Sequence, residues 1–341
     1  MAYTDIDKPS DYFNTLTYTG DGTTKDITGV GFQPDLVWAK KRSATGFHAW
    51  CDSVRGGTKN IFSNSTGAEE TSATDWILSF ASDGFGVNSA GNLNQSAATY
   101  VGWNWLASNT TASNTDGSIT STVSANTTSG FSIVSYTGTG SAGTIGHGLG
   151  VAPNFIIVKR RDGAEAWGVG CDSIGWGNRL TLDTTAASAA ASTTWNDTAP
   201  TSNVFSIGTN ARVNNGDSIA YCFAEKKGFS KFGSYTGNGN ADGTFVYTGF
   251  KPAFVMVKVS STTNDWIILD NKRDTFNVAT KKLLPNESNA ESSDLGVSTD
   301  FLSNGFKFRT TGNNVNGSGS SYIYMAFAEE PLVGDNPATA R

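Results

Sequence analysis

One set of markers occurs three times along the chain in the same order. Tyr18-Thr-Gly-Asp-Gly22 returns as Tyr136-Thr-Gly-Thr-Gly140 and Tyr235-Thr-Gly-Asn-Gly239. Gly31-Phe-Gln-Pro-Asp-Leu-Val-Trp-Ala-Lys40 is matched by Gly150-Val-Ala-Pro-Asn-Phe-Ile-Ile-Val-Lys159 and Gly249-Phe-Lys-Pro-Ala-Phe-Val-Met-Val-Lys258. Cys51-Asp-Ser-Val aligns with Cys171-Asp-Ser-Ile and Leu269-Asp-Asn-Lys, and Asp83-Gly-Phe85 with Asn203-Val-Phe205 and Asn304-Gly-Phe306. Each set closes on an apolar run, at Val101–Trp105, Ile219–Phe223 and Ile323–Phe327. A fold for this chain must therefore hold three copies of one unit. A unit of about 100 residues has the size of one β-sandwich, not of a short solenoid repeat. The markers place the units at 12–107, 130–227 and 228–331, with an N-terminal arm at 1–11 and a C-terminal tail at 332–341. Residues 108–129 are rich in Ser, Thr and Asn and read as a linker, with one candidate strand at 119–123. The second and third units abut at Lys227–Gly228, a short connection expected to hold them more tightly than the first and second.

Within each unit the pattern is that of strands. Pro34, Pro153 and Pro252 each precede an apolar run that ends in lysine, and proline suits the opening of a strand. Turn-rich breaks follow at 43–46, 162–165 and 260–264, and a second strand after each break makes a hairpin. Val101, Trp103 and Trp105 alternate with Gly102 and Asn104, which puts the bulky residues on one face. No stretch carries a helical stripe, so little helix is expected. The 39 glycines agree with many tight turns. The predicted fold class is all-β, built of tandem antiparallel β-sandwich repeats of jelly-roll-like form.

The chain has 341 residues and a net charge of −6, which excludes a strongly basic nucleic-acid surface. Three cysteines (Cys51, Cys171, Cys222) and two histidines (His48, His147) at wide spacing give neither a disulfide framework nor a zinc site. Neither metal nor cofactor is expected. Cys51 and Cys171 stand at one repeat position, with Leu269 in the third copy, and read as small apolar core residues. All three thiols are expected to be buried and inert. His48 and His147 read as turn or surface residues. Gly138-x-Gly140-x-x-Gly143 matches a dinucleotide fingerprint in spacing, but no helix follows it, and a hairpin turn accounts for it. Lys40, Lys159 and Lys258 precede Asp52, Asp172 and Asp270 on the arms of the predicted hairpins, which reads as cross-strand ion pairing or a rim contact. Glu69, Glu70 and Glu291 read as solvated or hairpin-locking residues rather than as an acid pair facing across a cleft. Trp176 and Trp195 fall in loop-like surroundings and are the candidate ligand contacts, since an indole face can stack on a sugar ring. No catalytic residue is assigned. The opening residues show no signal peptide, and no apolar run reaches the length of a membrane span. Synthesis and folding in a cytoplasm are expected.

The repeat vocabulary resembles a domain of virion structural proteins from tailed bacteriophages, especially marine and cyanobacterial ones. The residues that carry the resemblance are Tyr-Thr-Gly-x-Gly, Gly-Phe-x-Pro-x-x-Val-x-x-Lys and the Asp-Ser stretch. With them go Asn64 to Glu70, Asn286 to Glu291, Ser303-Asn-Gly-Phe306, Ala326-Phe-Ala-Glu329 and the opening Ala2-Tyr-Thr-Asp-Ile-Asp. The resemblance implies a non-enzymatic virion component, in a tail fibre or associated with the tail, that contributes to host attachment. The alternative it leaves open is a capsid decoration or head-fibre protein. A carbohydrate-active enzyme is disfavoured because no acid pair is unique to one unit. The implied partners are other virion proteins, further copies of the chain in a trimer and a host-surface glycan, with no nucleic acid and no membrane insertion. Met1–Ser10 and Pro331–Arg341 are too poor in apolar residues to fold alone, and are expected to stay loose until a partner ties them down. Pro331 is expected to end the last strand after Glu330.

Overall fold

The computed structural model describes residues 4–89, 91–335 and 337–338. Its regular structure is almost entirely antiparallel strand, with helix limited to single turns such as Ser192–Trp195 and Ala211–Asn214. Twelve strands form three sheet cores. They are β1 (Phe13–Thr19), β2 (Leu36–Lys41), β3 (His48–Asp52) and β4 (Thr99–Trp105), then β5 (Phe131–Thr139), β6 (Phe155–Arg160), β7 (Gly168–Cys171) and β8 (Asn215–Phe223), and finally β9 (Ser230–Thr236), β10 (Phe250–Val259), β11 (Trp266–Asp270) and β12 (Ser321–Pro331). The sheet orders are β1-β4-β2-β3, β5-β8-β6-β7 and β9-β12-β10-β11, one pattern in three places. β2 with β3, β6 with β7 and β10 with β11 are the hairpins expected after the proline runs. Pro34, Pro153 and Pro252 each stand two residues before a matching core residue: Leu36, Phe155 and Phe254. In the third sheet Pro252 lies inside the strand, at a register shift that lets Phe250 still pair with Pro331.

Against each sheet lies a smaller one. It is made of Lys25–Thr28, Gly84–Val87 and Ile77–Ala81 in the first unit, Gly143–Gly146 and Val204–Ile207 in the second, and Phe245–Tyr247, Gly305–Phe308 and Thr299–Leu302 in the third. The turn at Gly140, at φ +78°, carries the chain from β5 to Gly143–Gly146 in the facing sheet, so it joins two sheets rather than two arms of a hairpin. Residues 108–129, expected as a linker, supply Ala112–Asn114 and Ser121–Asn126, which extend the second sheet beyond β5.

Successive residues of a strand face opposite ways, and in β2 both ways are buried. Val37 and Ala39 face the small sheet of their own unit, in a core shared with Ile77, Phe85 and Tyr100. Leu36 and Trp38 face a second core that joins all three units, with Trp50, Trp103 and Trp105, Trp167, Tyr221 and Phe223, and Phe254, Trp266 and Phe327. Phe13 stacks on Phe327 with ring centroids 4.9 Å apart, and Trp50 meets Tyr221 at 4.8 Å. Val101, Trp103 and Trp105 thus do lie on one face, and it is the face that joins units. Each large side chain buried this way contributes about 1.5–3 kcal/mol.

The described residues next to both ends are tied to the body. Asp5 N–H donates to Lys227 O at 2.9 Å, Ile6 is buried in the shared core, and Pro9–Asp11 forms a 3-10 turn. The described part of the N-terminal arm therefore has a partner already, and it is this chain. β12 ends at Pro331, which still pairs with Phe250, so the break comes one residue later than expected, and Leu332 N–H reaches Gly249 O at 3.3 Å. Gly228 sits between the two ends: a side chain there would collide with Thr4 and come within 3.2 Å of Pro331 Cβ.

Candidate functional site

The recurring lysines lie where units meet. Lys40, Lys159 and Lys258 are fully buried. Lys40 Nζ donates to Lys41 O at 2.9 Å and across to Ser288 O of the third unit at 3.2 Å. Lys159 Nζ donates to Glu165 O at 2.8 Å and to Thr66 O of the first unit at 3.1 Å. Lys258 Nζ donates to Asn264 O at 2.7 Å and to Thr185 O of the second unit at 3.0 Å. Burial lowers all three ammonium groups from 10.5 to about 8. They do not pair with Asp52, Asp172 and Asp270 as expected. The register sets Lys40 opposite His48 and Asp52 opposite Leu36, too far along the strand to meet.

Asp52 and Asp270 serve two of the seams by another route, whereas Asp172 bonds within its own unit, to Asn154 and Trp176. Asp52 binds Arg55 at 2.5 Å and accepts from Tyr221 Oη of the second unit at 2.7 Å. Glu69 then joins Arg55 at 3.2 Å and Arg161 of the second unit at 2.8 Å. Between the third and first units the pattern returns. Asp270 binds Arg273 at 2.5 Å and accepts from Trp103 Nε1 at 3.0 Å, while Glu291 joins Arg273 at 3.2 Å and Arg42 at 2.8 Å. Burial alone would raise the Glu69 carboxyl, but Arg161 and Arg55 outweigh it and hold the group at about 2. Glu291 is lowered on the same balance, with Arg42 and Arg273 outweighing its burial. Glu69 and Glu291 are thus neither solvated nor hairpin locks, since they tie one unit to the next. Glu70 is exposed, on the short strand Glu70–Thr71.

The seam between the second and third units is built otherwise. Cys171 pairs with Phe155 as Asp52 pairs with Leu36, so cysteine replaces the aspartate. Counting on from it, Ile174 stands where Arg55 and Arg273 do. Ser188 N–H donates to Ser260 O, the bond that Glu69 makes to Arg161 O and Glu291 to Arg42 O. Met325 holds the register of Trp103 and Tyr221. Five polar or aromatic positions have changed together. The backbone bonds and the lysine remain, and Trp266 Nε1 donates to Thr181 O at 3.0 Å as Trp167 Nε1 does to Phe62 O at 2.9 Å. Lys231 pairs with Glu225 across this junction, beside the short connection.

The register also corrects the reading of the cysteines. Cys51 faces the inner core of its own unit and Cys171 faces the shared core, so the two are one residue out of step. The partner of Cys51 is Gly170, which pairs with Ile156 as Cys51 pairs with Val37. A Cβ at Gly170 would lie 2.6 Å from Trp176 and 2.7 Å from Trp195. The glycine makes room for those indoles, which meet edge to face at 5.5 Å. Neither candidate contact therefore offers a face to a ligand: Trp195 is fully buried and Trp176 is 7% exposed, its Nε1 bonded to Asp172 at 2.8 Å. They fill an inner core. All three cysteines are free and buried, and burial raises Cys51 and Cys171 to about 12 and Cys222 further. The histidines are buried too, against the surface reading. His48 is in β3, accepting from Trp38 Nε1 at 3.2 Å, and His147 accepts from Leu149 N–H at 3.2 Å. Burial, and for His48 also the charges of Lys40 and Arg273, lowers both imidazoles.

Phe47, Phe245, Tyr247 and Phe276 are the exposed aromatics among the described residues, and of these Phe47 lies beside a seam cavity. Phe47, at the tip between β2 and β3, is 45% exposed and rests on Phe62 at 4.7 Å. It lines a cavity of about 380 Å³ at the seam of the first and third units, with Asn64, Asn286, Glu287 and Ser288. Among the described residues no group of three or more His, Cys, Asp or Glu could hold a metal ion.

The chain belongs to the family described as Domain of unknown function (DUF7483), whose model matches residues 8–331. No curated protein and no solved structure matches the chain.

Proposed function

We propose that this member of the DUF7483 family is a non-enzymatic structural component of a tailed-phage particle, located in the tail and contributing to host attachment. The observation that supports a structural role is the use made of the recurring charged residues. Lys40, Lys159 and Lys258, with the Asp52 and Asp270 networks, are spent on joining sheets. An active site leaves such groups facing a cleft, whereas here they close seams. The phage assignment itself is supported by the resemblance of the repeat motifs. In this reading the chain acts as a homo-oligomer, with a trimer as the first expectation, among other virion proteins. Imaging intact particles that carry a labelled copy of the chain tests the location. Label at the tail is the expected result, while label on the head replaces this reading with a capsid decoration or head fibre. Mass in solution tests the oligomer, and a monomer at micromolar concentration would overturn it.

A further inference from the structure

The three units are built on one pattern, so a departure confined to one unit marks a position that the scaffold does not require. Phe47 is such a departure. It precedes His48, and the residues before the matching Trp167 and Trp266 are Ala166 and Asp265. Phe62 and Trp76 pack against its ring at 4.7 and 6.4 Å, and the residue stays 45% exposed. An aromatic held this way is a rigid platform rather than a core residue.

Around it are groups with unused hydrogen-bonding capacity. Asn64 Oδ1 accepts from His48 N–H at 2.9 Å, while its Nδ2 bonds to no described residue. The Glu287 carboxylate makes no ion pair or side-chain hydrogen bond with any described residue, and only its backbone N–H is engaged, to Leu284 O. The Ser288 carbonyl is taken by Lys40, which leaves its hydroxyl for a ligand. The cavity they share, about 380 Å³, is within the range of small-molecule sites.

We propose that this cavity binds a neutral saccharide, with one pyranose face on Phe47 and the ring hydroxyls shared between Glu287, Asn64 and Ser288. A pyranose presents an apolar face of C–H groups and a rim of hydroxyls that both donate and accept. Glu287 takes donors, and Asn64 Nδ2 needs an acceptor. A wholly apolar ligand would desolvate both without recompense. The stacking surface matches the hydrophobic face in the way aromatic side chains serve sugars. The inference names the ligand class for the attachment reading and rests on that reading only for where the saccharide would be met.

The test uses the purified full chain, so its outcome is independent of where the chain sits in a particle. Saturation-transfer NMR and calorimetry are run against glucose, galactose, mannose, N-acetylglucosamine and their β-linked disaccharides. At least one should bind. Phe47→Ala should weaken that sugar by about tenfold or more, the loss of a stacking contact worth roughly 1.4 kcal/mol. Phe47→Trp should restore it, and Glu287→Gln should weaken it without changing the unfolding temperature. Tyr247→Ala, at an exposed aromatic elsewhere, should leave binding unchanged. No binding by any panel sugar at millimolar concentration overturns the proposal, as does binding that survives Phe47→Ala.

Discussion

A buried ammonium is costly unless acceptors surround it, and the three lysines show how backbone carbonyls can supply them. Each takes one carbonyl from its own unit and one from a neighbouring unit. The folded pKa of about 8 lies below the ordinary 10.5. Below about pH 8 the lysine is charged in both states, and the full penalty of burying that charge is present. Between about pH 8 and 10.5 the folded chain loses its proton first, so stability contributed by this site rises with pH. Lys159→Met cannot titrate in that window. The difference in urea midpoint between the parent and this variant should shift in favour of the parent as pH goes from about 7.5 to 10. A constant difference, or a shift the other way, would mean that the lysine keeps its proton. At Gly170 the same residue-scale reasoning explains a missing side chain: two indoles occupy its place.

Among the elements, the hairpins and the proline-led strands were legible because their signals are local: an apolar run, a turn cluster, a second run. The seams were not, because they depend on which face of a strand meets another unit, and β2 is apolar on both. A sign of the register was nevertheless present. Lys159 is one residue further from Asp172 than Lys40 is from Asp52, which marks the slip that places Cys171, not Asp172, on the shared face. A further recurring pair went unread. Asn94, Asn214 and Asn316 are buried, each preceded by the residue whose carbonyl accepts from Tyr18, Tyr136 or Tyr235 Oη at 2.9, 2.6 and 2.7 Å. Trp176 and Trp195 looked like loop aromatics because Gly and Asn flank them, and flanking residues do not report burial. The charged seams carry an acid sensitivity that the third lacks. Glu69 is held at about 2 against an ordinary 4.5, so its contribution is complete above about pH 4.5 and fades as pH falls towards 2. Glu69→Gln should cost about 1–3 kcal/mol at neutral pH and should flatten the acid limb of the stability profile. An unchanged acid limb would show that the pair is not held in solution.

For the whole molecule, the shared core has the strongest consequence. Trp167, Tyr221 and Phe223 of the second unit are buried against the other two, so residues 130–227 expressed alone would expose that face. The full chain should unfold in one calorimetric transition, and the excised unit should aggregate or fail to fold. Three separate transitions would show that the units are independent. The arm belongs to this body as well. Ile6→Ala should cost about 2–5 kcal/mol, as for other buried isoleucines, and a variant within 0.5 kcal/mol of the parent would show that the arm is not seated. That seat brings Thr4 and Pro331 together at Gly228, and this sets how the protein carries mechanical load. Tension applied between two neighbouring ends acts as a peel. In a single-molecule pull the bonds nearest the two handles, Asp5 N–H to Lys227 O and Leu332 N–H to Gly249 O, should part first and at low force, before the three seams are strained, and a single high-force rupture would contradict this.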